Sequence, residues 1–547
     1  MPMRLLLAAA IAGLSLLCGP VAAQKAVALT GFVSSAEEGP MEGVVVSARK
    51  AGSSVTISVV SDARGRFGFP AAKLESGSYA LRVRATGWEL AAPVHTDVVL
   101  AVTREVDLKL RKVKDITPQM TNAEWIAGFP GTPDQKKFLY GCVGCHTLER
   151  VAKSKHDAAG FVQVMKRMAG YTNNSHVERP QVRLIARDPM RDFGPNIERD
   201  AAYLATVNQS SGPWAYPLQA LPRVKGKSTR VVITEYELPR KPLMPHDVIL
   251  DAEGIVWFSM FDEQFLGRFD PHTLRYVEYP VPVQRPDYPK GTLDLEVDPE
   301  GNLWLSHMFQ SGAVKFDRRT QKFHAYPLPP DRANEHSQQS MVGPQRWTVD
   351  GKLWINDAGI PGLHRLDMKT GKWETWKPYE NLKGPHSVYG IYADSRNNIF
   401  FMDFGGENVG KIEAATGKLT LFPTPTPRSR PRRGRMDEQD RVWFAEWRAE
   451  KIGMFDTRTE KFSEWPVPGP YTAPYDVVRD RTGKVWTAGM NTDRVLRMDL
   501  ETGAFAEYPL PSQTNIRRVF VDNSTTPPTF WAGNNHHAAI VKVEPME

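Results

Sequence analysis

Gly301-Asn302-Leu303-Trp304 opens a unit that continues through Gly312-Ala313-Val314-Lys315-Phe316-Asp317 and leaves by Tyr326-Pro327-Leu328-Pro329. The same order recurs from Thr229 onward: Gly-x-hydrophobic-Trp, a polar link, Gly-x-hydrophobic-x-x-Asp, a turn such as Thr370-Gly371-Lys372, and a Tyr-Pro-x-Pro exit. Its aromatic anchor returns at Trp257, Trp304, Trp354, Phe400, Trp443, Trp486 and Trp531, about 43 to 50 residues apart. That period is the length of one four-stranded blade, so seven anchors predict a seven-bladed β-propeller over 229–547. The last repeat, at Ala538 to Val543, is one strand short of a unit. Val231 to Leu238, ahead of the first anchor, reads as the outer strand that closes the ring and removes exposed sheet edges.

The remaining residues predict further domains in a multidomain, mainly β chain. Met1 to Ala23 has the form of a secretory signal: Arg4, an apolar run from Leu5 to Cys18 too short to span a bilayer, then Val21-Ala22-Ala23 before a cut near Ala23. The mature chain is therefore expected in the periplasm, with no membrane span. Residues 24–113 alternate as short strands, among them Val55 to Val60 and Tyr79 to Val83, between Gly, Asp and Ser clusters, and predict a small β-sandwich. From 114 to 210 the apolar period becomes helical, in Phe161-Val162-Val164-Met165-Met168 and Ile197-Ala201-Tyr203-Leu204-Val207. Residues 211–228 read as a linker. A net charge of +7 on 547 residues is too diffuse to imply nucleic acid.

Only three cysteines occur, which excludes a disulfide scaffold, and two of them fall in Cys142-Val143-Gly144-Cys145-His146. Cys-x-x-Cys-His on a helix sets two thiols on nearly one face, where they form thioethers to one haem, and the histidine faces the iron. A zinc site would need further cysteines or matching ligands, and a redox dithiol would not need His146. One covalently bound haem c is therefore expected, held by Cys142, Cys145 and His146.

Three resemblances extend these readings. With Asp62-Ala63-Arg64-Gly65-Arg66-Phe67 and Gly77-Ser78-Tyr79, the sandwich resembles a carboxypeptidase regulatory-like (transthyretin-like) domain. That likeness implies a structural or adhesive role and no peptidase. Around the haem motif the helical segment resembles a class I cytochrome c, whose Lys/Arg-Met pattern matches Lys166-Arg167-Met168-Ala169-Gly170-Tyr171. It implies Met168 as distal ligand opposite His146, with Met190 the alternative and Met165, His156, His176 or an open position still available. Pro245-His246-Asp247-Val248, Trp443-Phe444-Ala445-Glu446 and Ile452-Gly453-Met454 make the propeller resemble virginiamycin B lyase, a streptogramin-opening enzyme. That family's elimination uses an inner-strand histidine with glutamates in late blades. Here the late positions are Pro474-Tyr475 and Asn515 to Arg518, so its machinery does not carry over intact.

Aligning the repeats assigns the funnel. Three residues after the anchors stand Met260, His307, Asp357, Asp403, Glu446, Gly489 and Asn534. The inner strands offer His246, Asp294, Arg346, His386 or Tyr389, Arg432 or Arg433, and Tyr475. His246, His307, Asp357, His386, Asp403 and Glu446 are the catalytic candidates, able to hold a small polar or anionic ligand or to act as acid and base. Arg428, Arg430, Arg432, Arg433 and Arg435 add a possible clamp for a carboxylate or sulfate. The expected function is electron transfer by an exported c-type haem protein, a dehydrogenase or its electron-accepting subunit, with a propeller that binds a substrate or a redox partner, the partner being a dehydrogenase or another cytochrome. Alternatives are a streptogramin-lyase-like C–O lyase with an accessory haem, or a non-enzymatic scaffold with an electron-relay haem.

Overall fold

The structure, a computed structural model, describes residues 26–184, 196–208, 216–343 and 351–547. Arg346, Met190 and the signal-like stretch lie outside the described residues.

Six four-stranded antiparallel sheets follow one another from Pro245–Leu250 to Phe505–Pro509. A seventh is built from Phe520–Asp522, Thr529–Asn534 and Ala539–Pro545, with Val231–Glu237 as its fourth strand. The sequence unit explains the blade. Asp298, six residues before Trp304, accepts the backbone N–H of Asn302 (2.7 Å) and the Trp304 indole N–H (2.9 Å). Trp257 on Asp251 (2.7 Å), Trp443 on Asp437 (2.9 Å) and Trp486 on Asp480 (2.7 Å) repeat the bond. Each aspartate thus closes the first hairpin and fixes the buried indole, satisfying a donor that would otherwise be stranded. Phe258, Phe401 and Phe444 each stand cross-strand from a glycine: Gly267, Gly410 and Gly453. A Cβ on Gly453 would lie 2.4 Å from the Phe444 ring, so only glycine leaves the ring room.

Val231–Glu237 is paired on both edges. One edge carries Ala539–Pro545; the other carries Val55–Val60 of the N-terminal sandwich. One eight-stranded sheet therefore runs from the last blade into the sandwich through Val55–Val60, Val45–Lys50, Gly77–Arg84 and Val94–Val98. The opposing sheet is organised on Val27–Ser35. Alternation along Val45–Lys50 serves both bodies: Val46 and Ala48 enter the sandwich core with Leu29, Phe67 and Phe69, while Val45 enters the blade core with Val231, Ile233 and Val541. Arg84 bonds Asp493 (2.5 Å) and the Leu510 and Ser512 carbonyls (2.8 and 2.6 Å), pinning the junction. The sequence boundaries had set the two bodies apart; the shared sheet joins them and covers the open edge of the closing strand.

Between them in sequence is a helical segment. Asn122–Gly128 begins with a Thr121/Glu124 capping box, Ala158–Ala169 with Asp157 as N-cap, and Ile197–Val207 packs against the latter. Phe161, Met165, Ala201 and Leu204 are buried with Trp125, Ile126 and Leu139. Among the described residues no helix is long and apolar enough to cross a membrane.

Candidate functional site

The inner strands of four blades begin with the same irregularity. Pairing passes from Pro245–Met260 to Val248–Phe258, leaving His246 and Asp247 opposite Ser259 alone. Tyr389 and Gly390, Arg432 and Arg433, and Tyr475 and Asp476 are left over in the same way. These are β-bulges, which re-aim side chains at sheet ends. The first residue of each pair joins one cluster, and the second joins another wherever it has a side chain.

The second-residue cluster is an ion network. Arg433 bonds Asp247 (2.9 and 2.5 Å) and Asp294 (2.5 Å), and Arg518 bonds Asp247 (2.9 Å), Asp294 (3.1 Å) and Glu296 (2.9 Å). Asp476 lies 3.5 Å from Arg435. Burial raises Asp294 against the pull of Arg433 and Arg518, whereas Asp247, held by both arginines, stays well below the usual carboxylate range despite burial. Fully buried charges persist only with this density of partners.

The first-residue cluster holds His246, Tyr389, Arg432 and Tyr475. His246 Nδ1 lies 2.7 Å from the Asp247 carboxylate, so Nδ1 carries the proton and Nε2 faces the Tyr475 hydroxyl at 3.5 Å. Tyr475 and Tyr389 share a short hydroxyl–hydroxyl bond. Burial pulls His246 down to about 3, so the ring is neutral near pH 7. Arg432 lies over the Tyr475 ring (3.7 Å) and against Phe404 (4.3 Å), and Phe261 packs tilted beside His246 (4.6 Å).

The helical segment is seated at this end of the blades. Ala123 N–H donates to the Asn491 carbonyl (2.8 Å), Asn174 to the Phe261 and Lys290 carbonyls (2.9 and 2.7 Å), Arg179 to Asp262 (2.7 Å), and the Tyr140 hydroxyl to Glu450. Arg517 donates to the Gly144 carbonyl (2.7 Å) and Asn515 to the Val143 carbonyl (3.3 Å), inside the Cys-x-x-Cys-His motif itself. Arg517 also lies over Phe261 (4.6 Å), the ring next to His246. The motif therefore sits against the first-residue cluster.

Cys142 to His146 occupy a turn between the 3-10 helix Lys137–Gly141 and the helix Glu149–Ala152, rather than the helix that the spacing suggested. The residues fit a haem c. Both cysteines are free, burial pushes the Cys142 thiol up to about 12, and neither has the thiolate character of a reactive dithiol. His146 Nδ1 lies 2.9 Å from the Thr147 carbonyl, an acceptor only, so Nδ1 carries the proton and Nε2 presents its lone pair. On the candidate distal side, Met168 is 38% exposed at the end of its helix and Met165 is buried in the core. Both ring nitrogens of His536, on the last blade, are buried, and the nearby Arg517, His146 and His176 add to burial in lowering its pKa to about 3, against a contact with the Val143 backbone.

Other sequence candidates separate. Asp357 accepts three backbone N–H groups, from Gln338, Gly359 and Ile360, and closes a turn. His307 meets Gln264 in its neighbouring blade. Glu446 has both carboxyl oxygens buried; burial and the repulsion and hydrogen bond of the adjacent Glu464 carboxylate push it up to about 8. His386 and Asp403 do pair, at 2.8 Å, but away from His246 and beside Arg428, Arg430 and Arg448. Arg517, Arg518, Asp476 and His536 were not singled out by repeat alignment. Asn515 to Arg518 had entered only as a place where histidine is lacking, although two adjacent arginines in an inner strand were the available signal. Among the described residues no group of three His, Cys, Asp or Glu is arranged to hold a metal ion.

Comparison with known proteins agrees with the architecture. The Virginiamycin B lyase family profile matches residues 233–488, and the Carboxypeptidase regulatory-like domain profile matches 28–111. No curated protein matches the chain. Among solved structures, selenomethionine-substituted virginiamycin B lyase from Staphylococcus aureus is 20% identical, covers 57% of this chain and 98% of its own, and superposes with a TM-score of 0.49. A streptogramin B lyase is 22% identical, with 57% and 97% coverage and a TM-score of 0.49. The chain carries a carboxypeptidase regulatory-like domain followed by a virginiamycin B lyase-like β-propeller.

Proposed function

We propose that this chain is an exported, periplasmic c-type haem protein that transfers electrons, and that its propeller binds a substrate or redox partner next to the haem. The observation that carries the reading is the seat of the Cys-x-x-Cys-His turn, whose carbonyls are held by Arg517 and Asn515 against the His246 cluster. When bound, haem c supplies one-electron chemistry. The residues of the chain do the rest. Thr147 fixes the His146 tautomer so that Nε2 is free to ligate. Arg517 holds the turn on the propeller. Asp247, His246, Tyr475 and Tyr389 form a hydrogen-bonded file in which the neutral His246 ring faces the Tyr475 hydroxyl with its Nε2 lone pair. Met168, the ligand implied by the cytochrome c likeness, would have to turn inward from its exposed position; Met190 is the other methionine proposed.

The test is production with haem maturation, followed by denaturation, acid–acetone extraction and redox spectroscopy. Haem is expected to remain with the polypeptide and to change its spectrum on reduction, and Cys145→Ala is expected to weaken that retention. A colourless matured protein refutes the proposal. The family match over 233–488 favours a second reading, a C–O lyase. That reading requires Mg-dependent, redox-neutral turnover that survives His146→Ala, whereas substrate-driven haem reduction favours the first.

A further inference from the structure

A cavity of about 550 Å³ opens between the connections of the fourth and fifth blades, beside the seat of the helical segment. Its wall carries Lys383, Arg428, Arg430 and Arg448 against a single lining carboxylate, Glu407. That carboxylate is already engaged, accepting the Arg428 backbone N–H at 2.6 Å. Asp403 behind the wall is saturated too, by His386 Nδ1 (2.8 Å), Gly406 N–H (3.0 Å) and Asn408 (3.0 Å). His386 Nε2 lies 3.2 Å from the Lys383 carbonyl.

Arg430 is the centre of the arrangement. Its Nε donates to the Phe404 carbonyl (2.8 Å), and its plane is held against Phe404 (4.8 Å) and Trp447 (5.3 Å). Among the described residues its two terminal nitrogens have no partner. Burial, with Arg448 and Arg432 adding repulsion and Asp403 opposing them, pulls it down to about 10. Arg428 and Arg430 both take left-handed backbone, φ 53° each, which is costly for residues other than glycine. Bonds from Arg430 N–H to Gly406 O (3.0 Å) and from Trp447 N–H to Arg430 O (3.3 Å) hold that conformation. The backbone is strained where it presents two guanidinium groups to one cavity.

We propose that this cavity binds a small molecule bearing an oxyanion, a carboxylate or a sulfate or phosphate group, with Arg430 as the fixed fork and Arg428, Arg448 and Lys383 around it. A planar guanidinium with both terminal nitrogens free matches two oxygens of one such group. The volume is that of a small-molecule site. The site adjoins the His246 cluster, since Arg430 and Arg432 share the Phe404 and Trp447 rings, and it does not depend on the haem reading.

The test is calorimetric titration of the full chain with sodium succinate, sodium sulfate and sodium phosphate, each against sodium chloride at matched ionic strength. At least one is expected to bind saturably, and preference between succinate and the tetrahedral anions assigns the group. Arg428→Gln, a change at an exposed side chain, and Arg430→Lys, which keeps the charge and loses the fork, are each expected to weaken binding about tenfold or more. Binding no tighter than chloride overturns the proposal. So does binding that both variants, with unchanged circular dichroism, retain in full.

Discussion

Arg517→Ala is the sharpest test of whether the propeller holds the Cys-x-x-Cys-His turn. The wild-type side chain makes a charge-assisted bond to the Gly144 carbonyl at 2.7 Å, another to Asn515 Oδ1 at 2.7 Å, and a cation–π contact with Phe261 at 4.6 Å. The Asn515 and Phe261 contacts are internal to the propeller and drop out of the balance. Losing the Gly144 bond costs about 1.5–3 kcal/mol. Part of this returns, because Arg517 is buried without a carboxylate partner and burial already lowers its pKa. A net loss of about 2 kcal/mol in seating follows, or roughly 30-fold in the equilibrium for lifting the turn.

Native-state hydrogen exchange reads that equilibrium residue by residue. The reporters are Ala123 N–H, bonded to Asn491, and Cys142 N–H, bonded to Leu139 (2.9 Å). Both are expected to exchange about 30-fold faster in the variant, while amides of the strand Ala313–Asp317 keep their rate. Arg517→Lys, which keeps charge without the fork, should fall between. Unchanged exchange at Ala123 and Cys142 would refute the clamp. Uniform acceleration across the propeller would show that Arg517 supports the blades and not the seat.

Three further outcomes follow from the same geometry. Trp443→Phe removes the indole donor to Asp437 and should cost about 1 kcal/mol in thermal unfolding, no more, because Phe400 fills that place in the fourth blade. Gly453→Ala sets a Cβ against the Phe444 ring and should cost about 1–3 kcal/mol, against near-neutrality for a change at an exposed turn. For Glu446 the folded state keeps a proton up to about pH 8 that the unfolded chain releases near 4.5, so this group makes stability fall as pH rises between those values. Glu446→Gln mimics the protonated acid, and the Tm of the variant relative to wild type should climb across that window; a constant difference would refute the assignment.

The propeller was legible because five of the seven repeats write out their own hairpin chemistry, an aspartate and then an aromatic six residues later, as in Asp298 to Trp304, and the other two keep the aromatic. Local bonds of this kind survive in one-dimensional spacing. The site was less legible because it rests on bulges, and a bulge is a property of the ladder between two strands. Repeat alignment offered His386 or Tyr389 and Arg432 or Arg433 as equivalents. The pairings resolve both choices: Tyr389 and Arg432 take the first bulge position beside His246, Arg433 takes the second and meets Asp247 and Asp294, and His386 lies outside the bulge altogether. A period of two cannot carry that distinction, since one extra residue reverses the facing of everything after it. For the same reason the double pairing of Val231–Glu237 was half visible. Its partner Ala539–Pro545 follows from counting strands in a closed ring, whereas Val55–Val60 belongs to another body, and nothing in either segment names the other. The Cys-x-x-Cys-His motif shows the converse: five adjacent residues carry the haem proposal by themselves, while the surface they rest on, made by Asn515 and Arg517 far along the chain, exists only once the ring has closed.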